Sequence, residues 1–164
     1  MFRKALQEID GSFIYIFDLD GTLADISHRL HFIRGYSDSD EERKKVDWNA
    51  FNLACDKDEP KWDIVELFSS LKQVSNIMIC TGRMGTPEVV KKTLDWLAKY
   101  GINPHGVYFR SDGDYRSDDV VKKEMLDEIR MLGTVVAAID DRDRVVDMWR
   151  DNGVTCLQCQ KGDY

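Results

Sequence analysis

A short apolar run recurs along this sequence and ends each time in polar residues. The runs cover residues 13–17, 76–80, 106–109 and 134–139, with a weaker one at 154–157. Short runs without alternating polar positions are typical of strands buried on both faces, as in a parallel sheet. These runs therefore predict the strands of such a sheet.

Helical patterns fill the intervals between the runs. Residues 62–71 carry apolar side chains at helical spacing, and Pro87 suits the first turn of a helix that ends near Gly101. Either residue of the pair 117–118 can cap a third helix, and residues 143–149 form the last. Strands that alternate with helices imply right-handed crossovers. The prediction is an α/β fold, with a Rossmann-like parallel sheet sandwiched by helices.

One stretch breaks this alternation. Residues 26–59 show no convincing strand, several charges and four scattered aromatic side chains, namely Phe32, Tyr36, Trp48 and Phe51. We predict a small helical cap, inserted after the first strand. The predicted domains are a core of residues 1–25 and 60–164 and a cap of residues 26–59. Trp48 and Phe51 have two interpretations: they form an apolar core within the cap, or they stack against a nucleobase.

Polar residues that suit phosphoryl transfer follow three of the predicted strands. Asp18 and Asp20 end the first run, Thr81 the second, and Asp140 with Asp141 the fourth. The carboxyl ends of parallel strands meet at the sheet edge where ligands bind. Asp18 can attack phosphorus and hold it covalently. Asp20, on the same side of an extended strand, can protonate the leaving oxygen and then activate water.

The negative charge of these carboxylates and of a phosphate substrate requires a cation. Oxygen ligands suit Mg²⁺. We expect the metal ligands to be Asp18, Asp20, Asp140 and Asp141. For Asp141 three roles stay open: a direct ligand, a hydrogen-bond partner of a ligand, or an orienting side chain. A hydroxyl and a basic group, which Thr81 and Lys122 supply, can stabilise charge on the phosphoryl oxygens.

These motifs resemble those of the haloacid dehalogenase (HAD) phosphatase superfamily. Residues 18–22, Asp-Leu-Asp-Gly-Thr, look like its nucleophile motif, while Thr81, Lys122 and the ending at 139–141 look like its second, third and fourth motifs. The four lie in the family's order and span the chain from about residue 13 to residue 157. The resemblance implies a Mg²⁺-dependent phosphatase with an aspartyl-phosphate intermediate.

Further segments resemble the 3′-phosphatase domain of bacteriophage polynucleotide kinase, namely residues 81–83, 113–116, 118–122 and 140–150. This resemblance implies phosphate-site roles for Arg29, Arg83, Asp118 and Lys122. Arg29 follows the nucleophile by eleven residues, as in that family. The chain contains no Gly-x-x-x-x-Gly-Lys-Ser/Thr loop, so the resemblance implies phosphatase activity without kinase activity. The insertion between Arg29 and Trp62 is longer in this chain than in that family. Because such insertions shape substrate choice, this departure leaves the substrate open but not the reaction.

The net charge of −7 limits the partners. Proteins that bind long nucleic acids usually carry a basic excess, so we expect no extended nucleic-acid groove. A pocket for one phosphorylated nucleic-acid end or one nucleotide is compatible with this charge. The longest apolar run is too short to span a bilayer and the start lacks a signal-peptide core, so we expect no membrane contact and a cytoplasmic location. A separate kinase or ligase is a compatible partner, which the sequence does not identify.

Two further groups of residues have alternative interpretations. Cys156 and Cys159 form a Cys-x-x-Cys pair, but a second pair of zinc ligands at matching spacing is missing from the sequence. Plain reduced thiols are therefore favoured over zinc or redox chemistry. His28, His31 and Arg34 are spaced to share one helical face, which is either solvated or turned toward the substrate.

The leading hypothesis is a phosphomonoesterase that removes 3′-phosphates from polynucleotide ends. Its closest rival acts on free nucleotides or another small phosphoester by the same chemistry. A catalytically silent binding module on the same scaffold is a hypothesis of another class, disfavoured because no motif residue is missing. A receiver domain phosphorylated on aspartate is disfavoured because it would lack the pairing of Asp18 with Asp20.

Overall fold

The computed structural model describes residues 2–5, 7–8, 13–33 and 46–162. Fifteen helices and strands lie in these ranges. In chain order they are β1 (Phe2–Ala5), β2 (Phe13–Phe17), β3 (Ala24–Asp25), a 3₁₀ helix (Ser27–Ile33), α1 (Trp48–Leu53), a second 3₁₀ helix (Ala54–Lys57), β4 (Glu59–Pro60), α2 (Trp62–Lys72), β5 (Asn76–Met84), α3 (Pro87–Lys99), β6 (Gly106–Arg110), α4 (Asp118–Arg130), β7 (Thr134–Arg142), α5 (Asp143–Asp151) and β8 (Thr155–Gly162).

Six of the described strands form one sheet in the order β1-β6-β5-β2-β7-β8, and the five from β6 to β8 run parallel. The predicted α/β fold, with a parallel sheet between helices, is confirmed. The central strand β2 pairs with β5 on one side and with β7 on the other. The carboxyl ends of these three strands therefore lie side by side, and they carry the predicted polar motifs.

Two apolar layers cover the sheet, one on each face. Side chains alternate between the faces of a strand, so a strand covered on both sides is apolar without interruption. In β2, Ile14 and Ile16 pack with side chains of α4 and α5, whereas Phe17 packs with side chains of α2 and α3. All three are fully buried, and each contributes roughly 1.5–3 kcal/mol through its burial.

The Cys-x-x-Cys pair lies in β8, where strand geometry separates its two members. Cys156 is buried against the face covered by α4 and α5, whereas Cys159 packs against the opposite layer. Burial raises the pKa of Cys156 to about 12 and also raises the pKa of Cys159. Residues three apart in a strand face away from each other and cannot share a metal ion. The arrangement agrees with plain reduced thiols.

The insertion is helical in its described part. It contains the two 3₁₀ helices and α1, and a short antiparallel ribbon of β3 and β4 closes its base. The prediction of no strand up to residue 59 is wrong at Glu59, which pairs with Asp25. Residues 34–45, which include Arg34 and Tyr36, lie outside the described residues. The division into a core and a cap at residues 26–59 stays a prediction.

Strand β1 is an addition to the predicted sheet. It pairs antiparallel with β6 at one edge, from Phe2 opposite Phe109 to Ala5 opposite Gly106. An edge strand of four residues pairs through backbone groups on one side, so it needs no long apolar run. In the described ranges, no helix combines the length and the apolar character needed to cross a membrane.

Candidate active site

The predicted nucleophile motif lies where β2 ends. The backbone N–H of Asp18 donates to the carbonyl of Ile139 at 2.9 Å, which extends the pairing with β7 one residue beyond the strand. The chain then turns at Gly21, whose φ of 89° lies in the region that favours glycine. The N–H of Leu23 closes the turn on the carbonyl of Leu19 at 2.9 Å. The two aspartates of the motif are thereby held at the edge of the sheet.

Three carboxylates converge at this edge. Oxygen atoms of Asp18, Asp140 and Asp141 lie within 4.8 Å of one another. Lys122, on α4, places its Nζ 2.5 Å from Asp18 Oδ1 and 2.8 Å from Asp140 Oδ2. All four side chains are buried. The structure thus brings together three of the four predicted metal ligands with the predicted catalytic lysine, whereas the carboxylate of Asp20 lies outside this group.

The electrostatics of this cluster favour an added cation. Burial raises the pKa of Asp18 well above its ordinary value, Asp140 and Asp141 add to the rise, and Lys122 opposes it. Burial acts to lower the pKa of Lys122, but the charges of Asp140 and Asp18 outweigh it and hold that pKa well above its ordinary value. Lys122 is therefore a permanent ammonium. One ammonium cannot neutralise three neighbouring carboxylates, so the donor set fits a small divalent ion.

Neighbouring groups fix the positions of Asp140 and Asp141. The indole of Trp149 donates from Nε1 to Asp140 Oδ2 at 3.1 Å, and the backbone N–H of Asp141 donates to Asp140 Oδ1 at 3.0 Å. The hydroxyl of Thr22 donates to Asp141 Oδ1 at 3.4 Å. Gly162 packs so closely that a Cβ there would lie 2.5 Å from Asp141 Oδ2. Groups of this kind orient ligands at metal sites.

A second cluster holds Asp20. The Nη2 atoms of Arg29 and Arg83 each lie 2.5 Å from Asp20 Oδ1, and Arg83 Nε lies 3.0 Å from the same oxygen. Burial acts to raise the pKa of Asp20, but the charges of Arg29 and Arg83 outweigh it and lower that pKa to about 2. Asp20 is therefore ionised at neutral pH while both guanidinium groups contact it.

Asp58 completes this cluster, although no sequence motif points to it. Its side chain is fully buried and accepts from Arg29 Nε and Nη2 and from Arg83 Nη2, each at 2.7 Å. His28 Nε2 lies 2.8 Å from Asp58 Oδ1. Burial raises the pKa of Asp58, and hydrogen bonds from Arg29 oppose the rise. In the sequence Asp58 is one of three acidic residues within 56–59, and no pattern distinguishes it from its solvated neighbours.

Arg29 and Thr81 lie behind the surface of the site. Arg29 is fully buried, its Nη1 donates to the Phe51 carbonyl at 3.1 Å, and its guanidinium carbon lies 4.1 Å from the centre of the Phe51 ring. These contacts and those with the two carboxylates surround the guanidinium, an arrangement that does not favour direct contact with a phosphate. Thr81 is also fully buried, and its Oγ1 accepts from the backbone N–H of Arg83 at 3.2 Å. The predicted roles of both residues stay predictions.

A third cluster surrounds Asp118 at the start of α4. Arg110 Nη2 contacts Asp118 Oδ1, and Arg142 Nη1 lies 2.6 Å from Asp118 Oδ2. Burial acts to raise the pKa of Asp118, but the charges of Arg110 and Arg142 outweigh it and hold that pKa well below its ordinary value. Neither arginine is among the site residues predicted from the sequence. A signal was present, since Arg110 ends β6 and Arg142 ends β7.

These clusters open into one cavity of about 780 Å³, including open solvent at its mouth. Most of the predicted site residues line it, namely Asp18, Asp20, Arg83, Asp118, Lys122, Asp140 and Asp141. The geometry therefore gathers carboxylates, guanidinium groups and one ammonium around a single opening.

Trp48 and Phe51 differ in burial, and His28 and His31 differ in their contacts. Phe51 is 6% exposed and belongs to the apolar core, whereas Trp48 is half-buried and lines the cavity together with Phe51. His28 is linked to Asp58, but the exposed His31 places its Nδ1 3.0 Å from the His28 carbonyl. Arg34, the third member of that predicted face, lies outside the described residues.

Comparison with known proteins decides the family. Residues 13–164 match the sequence model of the family described as the polynucleotide kinase PNKP phosphatase domain. The chain belongs to this family. It is a HAD-type phosphatase domain, and the resemblance drawn from its motifs is confirmed.

Solved structures agree with this membership in the PNKP phosphatase family. A chain of the Pnkp1/Rnl/Hen1 RNA repair complex superposes with a TM-score of 0.74 at 29% identity, covering 98% of this chain and 46% of the other. A second structure of the Pnkp1/Rnl/Hen1 complex gives a TM-score of 0.74 at 30% identity, covering 98% of this chain and 50% of the other. The PNKP-type domain thus spans about half the length of the chains it matches.

A more distant structure shows the fold alone. A haloacid dehalogenase-like hydrolase from Streptococcus pneumoniae superposes with a TM-score of 0.58 at 18% identity, covering 88% of this chain and 83% of that one. The PNKP-type domain therefore has the architecture of HAD-like hydrolases.

Proposed function

We propose that this PNKP-type domain is a Mg²⁺-dependent phosphomonoesterase that forms an aspartyl-phosphate on Asp18 and removes 3′-phosphates from polynucleotide ends. The observation that carries the proposal is the meeting of Asp18 with Lys122, Asp140 and Asp141 in one cavity. A nucleophilic carboxylate, an ammonium and a set of oxygen ligands are the groups that phosphoryl transfer to an aspartate requires.

The donor set fits Mg²⁺. The ion takes oxygen ligands and keeps several waters, so a few carboxylates from the protein suffice. Asp18, Asp140 and Asp141 would hold it, and Trp149 and Thr22 would orient two of these ligands through the hydrogen bonds described above. When bound, the ion would neutralise charge on the phosphoryl oxygens and the attacking carboxylate.

The protein's own residues then divide the reaction into two displacements. In the first, a carboxylate oxygen of Asp18 bonds to phosphorus as the bond from phosphorus to the leaving oxygen breaks, and Asp20 gives its proton to that oxygen. In the second, water attacks the acyl phosphate, its proton passes to Asp20, and inorganic phosphate leaves the regenerated Asp18 carboxylate. Lys122 holds Asp18 in position throughout.

The protonation state of Asp20 follows from the second cluster. Its low pKa depends on Arg29 and Arg83, and of these Arg83 lines the cavity. A phosphate dianion in the cavity attracts Arg83 and adds a negative charge beside Asp20, and both effects raise the pKa of Asp20. Binding of the substrate therefore favours the acid form that the first step needs.

The choice of a polynucleotide 3′-end rests on the family and on the RNA repair complexes whose chains this domain matches. By analogy, we propose that the domain acts in nucleic-acid repair beside a kinase or ligase. Its acidic balance, with a net charge of −7, fits contact with one end rather than with a long stretch of nucleic acid. The cytoplasmic location stays a prediction.

The test is phosphate release with Mg²⁺ from a 3′-phosphorylated oligonucleotide, its 5′-phosphorylated twin and matching mononucleotides, each beside Asp18→Asn. Release from the 3′-phosphorylated oligonucleotide that Asp18→Asn abolishes supports the proposal. Preference for mononucleotides would keep the mechanism and transfer the function to nucleotide metabolism. Absence of Mg²⁺-dependent release from all of them would refute the nucleic-acid substrate.

A further inference from the structure

The residues that line the cavity are of two chemical kinds: the members of the charged clusters, here called the floor, and the apolar and aromatic residues, here called the wall, namely Ile33, Trp48, Phe51, Met84 and Tyr115. A phosphate bound by the charged floor would leave no part of the ligand to contact the wall residues. The wall therefore indicates that the group attached to the phosphate has an apolar surface of its own.

Trp48 is held firmly at this wall. It is the first residue of α1, where Asp47 caps the helix by accepting from the backbone N–H of Ala50 at 2.8 Å. Its ring meets Phe51 edge-on, with ring centres 5.7 Å apart. The buried Asn52 donates to the Trp48 carbonyl at 2.6 Å and accepts from the backbone N–H of Met84 at 3.3 Å. The insertion is thereby tied to the end of β5, beside the catalytic floor.

Tyr115 approaches the cavity from a different element, the loop after β6. It is 45% exposed. Arg110 donates from Nη1 to the carbonyls on either side of it, those of Asp114 at 3.1 Å and Arg116 at 2.6 Å. The same arginine contacts Asp118 in the third cluster. The loop that carries Tyr115 is therefore fixed to the charged floor.

We propose that this wall is a binding site for the base of the nucleotide that carries the phosphate, with Trp48 as its stacking platform and Tyr115 as a second contact. The inference rests on the proposed function and adds the specificity-determining side chains to it. A nucleobase is flat and presents an apolar face, so it covers an indole ring and excludes water from it. Stacking of this kind accepts every base, because each has a π-face.

Other small phosphoesters match the wall less well. A sugar or glycerol phosphate carries hydroxyl groups that would lose water against Ile33, Trp48 and Met84 without gaining hydrogen-bond partners there. Such a compound would be bound by the floor alone. The wall thus favours binding of nucleoside phosphates over binding of polar phosphoesters that have the same reacting group.

The experiment compares two substrates of the same length. One is an oligonucleotide with a normal 3′-terminal nucleotide and a 3′-phosphate, and the other carries the 3′-phosphate on a terminal sugar without a base. We expect Trp48→Ala to lower kcat/KM on the first by roughly tenfold to a hundredfold, and to leave kcat/KM on the second nearly unchanged. Trp48→Phe, which keeps an aromatic ring, should lose far less. The ratio of the two rates within one variant is unaffected by any inactive fraction.

The matched control is Trp62→Ala. Trp62 is 57% exposed on α2, packs edge-on against Tyr100 and lies outside the cavity. It should change neither rate. An equal fall on both substrates in Trp48→Ala, or no fall on either, would overturn the inference.

Rates measured on the wild-type protein distinguish failure of the base site from failure of the proposed function. Equal kcat/KM on the two oligonucleotides overturns the base site and leaves the 3′-phosphatase function standing. Release from glycerol phosphate without release from either oligonucleotide overturns both.

Discussion

Replacing Asp58 with asparagine tests whether the second cluster works as a unit. Asp58 is fully buried and accepts three hydrogen bonds of 2.7 Å from Arg29 and Arg83, while His28 lies 2.8 Å away. Two guanidinium groups and the two carboxylates of Asp20 and Asp58 form a neutral set. The change Asp58→Asn keeps the shape of the side chain but leaves the set with one uncompensated positive charge.

The size of the effect follows from burial. Removing one partner of a buried ion pair costs about 3–5 kcal/mol, because the remaining charge stays in a poorly solvated place. A domain has about 5–15 kcal/mol of stability in total, so we expect the variant to fold but to be much less stable. For a chain of this length, each kcal/mol lowers Tm by about 2–4 °C. The expected fall in Tm is therefore roughly 6–20 °C.

Thermal unfolding followed by circular dichroism measures this fall, with Asp56→Asn as the matched control. Asp56 is two residues away in the chain, its side chain is 43% exposed, and its ion pair with Lys92 spans 3.4 Å. An exposed pair of this kind contributes about 0–1 kcal/mol, so Tm should barely change. The control shifts Tm by at most about 4 °C, so the two variants should differ by at least about 2 °C. A smaller difference between Asp58→Asn and Asp56→Asn would show that the buried cluster adds no more stability than an exposed ion pair.

Activity gives a second, independent readout of the same variant. Without the Asp58 carboxylate, the guanidinium groups of Arg29 and Arg83 lose a buried hydrogen-bond acceptor that fixes them. Asp20, which contacts both, is then no longer held in one position. A displacement of about 1 Å at a reacting group costs on the order of a hundredfold in rate. Below the melting range, kcat for phosphate release should fall by roughly tenfold to a hundredfold, with a smaller change in KM. An unchanged kcat would show that Asp58 contributes to stability without positioning Asp20.

Three further predictions concern the other clusters. The pKa of Asp118 is lower in the folded protein than its ordinary value of 3.8, so ionised Asp118 stabilises the fold above about pH 4. This stability is lost as the pH falls toward the folded pKa. In a series of melting curves, the Tm difference between wild type and Asp118→Asn should therefore shrink below about pH 4. Titration with Mg²⁺ should change tryptophan fluorescence through Trp149, which donates to Asp140, and Trp149→Phe should remove the change. Gly162→Ala would place a Cβ 2.5 Å from Asp141 Oδ2 and should weaken Mg²⁺ binding by roughly tenfold to a hundredfold, measured by calorimetry.

Most of the sheet could be predicted because its strands are buried on both faces. Such strands must be apolar at every position, which makes β2 and β7 visible without an alignment. The ends of the strands are harder to locate, since β5 continues to Met84 and β7 to Arg142 through polar residues. Backbone pairing does not depend on side-chain polarity, so it persists where the apolar pattern stops. Strand β1 also pairs through its backbone and contains no long apolar run, so the apolar pattern does not predict it.

The candidate site could be predicted where a motif fixes both the residue and its neighbours in sequence. Asp18 with Asp20, and Asp140 with Asp141, are of this kind. Asp58 could not be found, because its partners Arg29 and Arg83 lie 29 and 25 residues away and meet it only through folding. An acidic residue that will be buried looks the same in a sequence as one that will be solvated.

Under the proposed function, the charge balance of the three clusters gives the cation a second task besides the chemical step. Their charged members are the basic side chains Arg29, Arg83, Arg110, Lys122 and Arg142 and the carboxylates Asp18, Asp20, Asp58, Asp118, Asp140 and Asp141. With all six carboxylates ionised, five positive charges against six negative ones leave the site at −1, which disfavours a phosphate dianion. The four arginines already contact carboxylates, which offsets much of their positive charge. One divalent ion would change the total to +1, and under the proposed function the removal of Mg²⁺ should therefore weaken binding of the substrate as well as stop its conversion.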